Sequence, residues 1–126
     1  MPAYDAVLFL PPAPLATVTL RNAQSGQTVS DIPLLIDSGA DVTLVPESAV
    51  NQIGITIEST ETYELQSFDQ RISTAHAVHL EMLFLKRTFR GKFLVIGQEW
   101  GILGRDVLNH VLILLDGPSL SWREVS

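Results

Sequence analysis

The apolar triplet Leu34-Leu35-Ile36, running straight into Asp37-Ser38-Gly39, constrains this chain more than any other stretch. Three successive apolar residues read as a strand with both faces buried. A carboxylate at the mouth of such a strand is costly unless hydrogen bonds or a partner charge compensate it. Ser38 supplies a short donor and acceptor beside the acid, and Gly39 permits a tight turn and the close approach of another backbone. Asp-Ser-Gly alone is also an ordinary turn between strands. Its continuation, Ala40-Asp41-Val42-Thr43, and a second apolar-to-polar junction, Ile102-Leu103-Gly104-Arg105-Asp106-Val107-Leu108, set it apart from a plain turn.

Asp-Ser-Gly-Ala-Asp-x-Thr after an apolar strand resembles the active-site loop of the aspartic proteases, in the retroviral form (retropepsins). The second motif resembles the segment of that family in which two apolar residues and a glycine precede a short helix beginning with Arg, packed under the active-site loop. The resemblance runs from about Leu15 to Trp122, with specific residues in the two motifs and a loose pattern between them. It implies an aspartic-type endopeptidase that needs no cofactor and no metal. Peptide hydrolysis by carboxylates takes two of them, one ionised to accept a proton from water and one protonated to donate to the carbonyl oxygen. Two acids about 3 Å apart cannot both ionise, and their shared proton assigns the roles. With a single Asp-Ser-Gly in the chain, the second acid has to come from another chain. A symmetric homodimer with Asp37 facing its own copy is the simplest solution.

The resemblance also distributes roles. Asp37, Ser38 and Gly39 form the catalytic triplet, with Ser38 bracing the two loops across the dimer axis and Gly39 offering its carbonyl to bound peptide. Ala40 and Asp41 contact substrate, and Asp41 pairs with the helix arginine, Arg105, whose planar guanidinium can grip a carboxylate through two bonds. Thr43, Gly104 and Arg105 are structural support. Asp106 reads as a first-turn helix charge. A rival reading keeps the fold without the chemistry, as a non-catalytic dimerisation or peptide-binding module, because function lives in the site and not in the fold.

Along the chain, Pro2, Pro11, Pro12 and Pro14 make residues 1–14 an extended N-terminal arm, leaving 15–126 as one domain. Strands are predicted at Thr17–Leu20 and Thr28–Ile36 around an Asn22–Gly26 turn. Leu44-Val45-Pro46 leads away from the Asp37 loop, and Glu47–Ile53 reads as a short helical turn. From Ile72 to Phe84, apolar residues fall at period two, the spacing of a strand in a long hairpin over Thr60–Phe84. Its bend lies at Ser67-Phe68-Asp69-Gln70, where the family has a flap over the substrate, so Ser67, Phe68 and Asp69 are assigned to substrate. This tip has no glycine, a departure from the usual retroviral flap. Lys86–Lys92, with four basic residues, reads as a solvated hairpin turn. Phe93–Ile96, Val111–Leu115 and Ser119–Trp122 are further strands, and Arg105–His110 is a short helix. Many strands and about one helix give a mainly β fold, a small closed acid-protease-type barrel with one short helix near the C-terminus and a flap hairpin.

Composition excludes other classes. A formal charge of −6 argues against nucleic acid, which needs a basic footprint. With no cysteine there is no disulfide framework, thiolate site or cysteine nucleophile, which suits a reducing compartment, and a cytoplasmic location is expected. His76 and His79 fall on opposite faces of a strand, which disfavours a shared metal. No run approaches the roughly 20 apolar residues that span a bilayer, and Ala6–Leu10 is too short and too proline-flanked for a signal peptide.

Overall fold

The computed structural model describes residues 2–57, 62–66 and 72–126, with side chains for 2–57 and 75–126. In chain order the strands are β1 (Ala3–Asp5), β2 (Ala13–Arg21), β3 (Thr28–Ile36), β4 (Leu44–Pro46), β5 (Thr62–Gln66), β6 (Ile72–Phe84), β7 (Arg87–Ile96), β8 (Gly101–Leu103), β9 (Ile113–Asp116) and β10 (Ser121–Glu124). Two short helices, α1 (Glu47–Gln52) and α2 (Arg105–Leu108), complete the set.

Alternation drives the sheet. In β2, Ala16, Val18 and Leu20 are buried while Thr17 faces solvent; in β3, Ile32, Leu34 and Ile36 are buried while Leu35 is only half-buried. The expectation that Leu34–Ile36 is buried on both faces is therefore corrected. Only the inward face of β3 meets the core, so Leu35 stands on the outer one. Adjacent pairing runs β6-β7-β4-β8-β3-β2, and β2 then pairs with β6, closing a six-stranded ring. Closure explains why short strands suffice, since no ring strand is left with an open edge. Leu20, Leu34, Val45, Val50, Ile53, Met82, Leu103 and Val107 fill the interior with almost no exposure. Trp122 joins them at 4% exposure, its Nε1–H donating to the Leu15 carbonyl at 3.0 Å.

Two pairs in the ring are parallel, β3 with β8 (Leu34↔Gly101, Ile36↔Leu103) and β4 with β7 (Leu44↔Leu94, Pro46↔Ile96). The N-terminal segment joins the sheet, with β1 lying between β2 and β10. Among the described residues β9 pairs only with β10, and it ends the strand order. The arms of the predicted flap hairpin are present as β5 and β6, in register from Thr62↔His76 to Gln66↔Ile72. Its tip, including Ser67, Phe68 and Asp69, lies outside the described residues.

The hairpin from β6 to β7 turns on Leu85 and Lys86, both at positive φ (51° and 61°), the backbone of a two-residue turn matched to strand twist. All four basic residues of the cluster are exposed, as a solvated hairpin implies, yet two of them are also paired. Arg87 pairs with Glu124, and Arg90 pairs with Glu81. Glu81 also receives the Arg21 guanidinium at 2.7 Å. Arg21 and Arg90 are the direct cross-strand neighbours of Glu81 on β2 and β7, so this triad straddles the seam where the ring closes.

Hydrogen bonds from Arg21 and then Arg90 hold the Glu81 carboxyl below its ordinary value. A carboxyl that ionises more easily folded than unfolded adds stability above its unfolded value of about 4.3, and that stability is lost as pH falls through the lowered folded value. Glu81→Gln should therefore unfold at lower urea than wild type at pH 7, with the gap narrowing below about pH 4. An equal gap at pH 7 and pH 3 would remove the charge from the explanation.

Candidate active site

β3 delivers Asp37 to one end of the ring, where the Asp37 N–H donates to the Leu103 carbonyl at 3.1 Å and so extends the parallel ladder by one residue. The chain then turns at once. Ala40 N–H donates to the Asp37 carbonyl at 3.1 Å, and Gly39 N–H donates to Asp37 Oδ1 at 2.9 Å. A Cβ at position 39 would stand 3.1 Å from that same oxygen, so glycine keeps the carboxylate in its place. Asp37 is half-buried, while Ser38, Gly39 and Asp41 are exposed. The acid is thus fixed by backbone yet open to solvent.

Beneath the loop, Thr43 is fully buried and acts in three directions. Its hydroxyl donates to Asp106 Oδ1 at 2.6 Å and accepts the Gly104 N–H at 3.0 Å, and its own N–H donates to Asp106 Oδ2 at 3.0 Å. Gly104 sits so close under the loop that a Cβ there would lie 2.4 Å from the Val42 carbonyl oxygen. Arg105 adds two more ties, its N–H to the Ala40 carbonyl at 2.9 Å and its Nη1 to the Ser38 carbonyl at 2.8 Å.

The structure thus brings Asp37, Ser38, Gly39, Ala40, Thr43, Gly104 and Arg105 together. It corrects one pairing expected from the sequence: among the described residues no ion pair joins Asp41 to Arg105. The guanidinium is used on the Ser38 carbonyl, and the exposed Asp41 carboxylate keeps its hydration. Asp106, read as a helix charge, instead receives both Thr43 donors. The available signal was Thr43 itself, since a buried hydroxyl and N–H need acceptors and Asp106 is the acid beside Gly104-Arg105.

A second apolar cluster lies beside the loop, separate from the ring interior. Leu44, Ala75, Ala77 and Leu94 are its buried members, and Val42, Ile96 and Ile102 pack on it. Leu35 pairs with Ile102 across β3 and β8, so this outer apolar surface continues toward Asp37. Among the described residues no group of three or more His, Cys, Asp or Glu is placed to hold a metal ion.

A closed ring of strands that presents a carboxylate loop at its end, locked from below by a Gly-Arg-Asp segment, defines an acid-protease type of domain. The aspartyl protease family matches residues 16–107, well over half of the chain, and the chain belongs to that family. Among solved structures, EIAV protease complexed with the inhibitor HBY-793 is similar with a TM-score of 0.60. It is 17% identical, and the match covers 78% of this chain and 86% of that one, so the shared feature is the retropepsin-like fold. No curated protein matches.

Replacing Thr43 by Val keeps the shape but leaves the Gly104 N–H and Asp106 without the hydroxyl. The Gly104 N–H is buried and costs about 1–3 kcal/mol when orphaned, whereas the exposed Asp106 rehydrates, so Thr43→Val should lose roughly 1–3 kcal/mol in urea unfolding. A loss under about 0.5 kcal/mol would mean that this junction does not hold the loop. Gly104→Ala should be worse, because the Val42 carbonyl is backbone and cannot swing away.

Proposed function

We propose that this chain is an aspartic endopeptidase in which two copies of Asp37, one from each protomer of a homodimer, activate a water for attack on a peptide bond. The observation that carries this reading is the placement of Asp37, anchored through the Leu103 carbonyl and the Gly39 N–H but open to solvent beside an apolar surface. One carboxylate accepts the proton of the water while its protonated counterpart donates to the scissile carbonyl. Ser38 braces the paired loops, the Gly39 carbonyl, Ala40 and Asp41 bind the peptide backbone, and the resemblance to retropepsins assigns Ser67, Phe68 and Asp69 to substrate as well.

The need for a second chain is chemical, and an uncovered edge supports where it would dock. β9 ends the strand order, with its Leu114 and Leu115 exposed by 40% and 50% and Leu112, just before it, by 63%. A strand edge lined with leucine is a template for pairing with another copy. Among the described residues no helix is long and apolar enough to cross a membrane, and the cysteine-free composition suits a cytoplasmic enzyme.

Asp37→Asn keeps the shape and removes both the base and the acid, so cleavage of a peptide library should fall by several orders of magnitude while the dimer persists. Unchanged cleavage would show that Asp37 does not activate the water. A wild-type chain that binds peptides without cutting them would instead favour the non-catalytic module. Since each protomer holds half of the site, specific activity should rise with protein concentration and level off as the dimer saturates. Activity proportional to total protein, down to concentrations at which ultracentrifugation finds only monomer, would defeat the shared site.

A further inference from the structure

The connection between β1 and β2, residues 6–12, is a strap of unusual character. Asp5 Oδ1 accepts the N–H groups of Val7 at 2.8 Å and Leu8 at 2.7 Å, folding the strap over at its start. Val7 and Leu10 are each 94% exposed and Leu8 is 52% exposed. Phe9 alone among these four turns in, its ring meeting Trp100 edge-on with centroids 4.9 Å apart at 70°.

The position of that contact matters. The β2–β3 register (Leu15↔Leu35), carried two residues further, sets Ala13 level with Asp37. Trp100 immediately precedes β8, whose Gly101 is level with Leu34. Since the strand order is β8-β3-β2, β3 lies between the strap's root and Trp100, and Asp37 directly follows it. Two strand spacings and four residues of strand length make a diagonal of about 16 Å. The four residues from Ala13 back to Phe9 reach at most about 14 Å, and the two aromatic side chains span the rest. By this register a taut strap crosses β3 diagonally, from the level of Asp37 at its root toward the level of Pro33 at Trp100.

Strand periodicity identifies the face. Leu35 on β3 and Ile102 on β8 lie on matching faces, opposite the buried Leu34, Ile36 and Leu103, and alternation carried one residue past each strand puts Asp37 and Trp100 on that side. A peptide lying over Asp37 would rest a side chain on this surface.

We infer that the strap is a built-in competitor for the peptide cleft, with Phe9 standing on Trp100 where an apolar substrate side chain would lie. This rests on the reading of Asp37 as the catalytic acid. Strap and substrate exclude each other, so the chain's apparent affinity for peptide is lowered by the fraction of time the strap is seated.

The test is the binding of a labelled, end-blocked peptide of residues 6–12 to the full chain, followed by fluorescence polarisation. An Asp37→Asn background prevents cleavage. An edge-to-face aromatic contact is worth about a fivefold factor, so Phe9→Ala should bind the peptide about fivefold tighter. Asp5→Ala, which frees the strap without touching either ring, should also bind it tighter, and Trp100→Ala should abolish binding. Equal or weaker binding by both Phe9→Ala and Asp5→Ala, or no binding of the peptide to any variant, would overturn the inference. Hydrolysis plays no part in this measurement. A chain that behaves as expected here but never cuts a peptide would defeat the proposed activity alone.

Discussion

The junction of Thr43, Gly104 and Asp106 is the interaction on which the rest of the site depends. One buried hydroxyl serves as donor to Asp106 and acceptor from Gly104, while the Thr43 amide takes the second Asp106 oxygen. A charge-assisted bond to a carboxylate is stronger than one between neutral groups, and burial sharpens the cost of losing it. This junction fixes the far end of the Asp37 loop, as the Leu103 carbonyl fixes the near end. Arg105 then closes the middle through the Ser38 and Ala40 carbonyls. A loop tied at three points can hold an acid at a solvent-facing position without letting it drift.

The barrel has a second polar junction of a different kind. Glu81 joins Arg21 and Arg90 where β2 closes on β6, and the outermost member, Arg90, is largely exposed. It marks register at the ring's closure, where opposite charges directly across strands favour one pairing over a slipped one. Thr43 and Glu81 are both buried beside exposed partners, Asp106 and Arg90; the first junction holds a loop and the second aligns strands.

Much of this was legible from local pattern. Period-two alternation located β2 and β6, the apolar run into Asp37 located β3, and turn chemistry located the bend at Asn22–Gly26. The two motifs that resemble the retropepsins led to Asp37, Thr43, Gly104 and Arg105, which the fold assembles. What local pattern could not supply was partner choice. Arg105 has a carboxylate and a carbonyl in prospect, and charge complementarity alone favours Asp41; the backbone geometry gives it Ser38. Leu35 looks like core within an apolar triplet, yet alternation turns it outward. Phe9 and Trp100 are far apart in the chain and no local pattern pairs them, so only the three-dimensional arrangement joins them.

The Thr43–Asp106 bond also orders events in time. Its two residues are 63 positions apart, and the parallel pairing of β3 with β8 that carries the junction is equally non-local. Contacts of such sequence separation form late, after the loop-closure entropy between them has been overcome. During synthesis the acidic loop emerges long before the segment that shapes it. Until Asp106 has left the ribosome, Asp37 sits on an untethered stretch of chain. A latent period is thus written into the connectivity, and a half-made chain carries the acid without the architecture that would aim it.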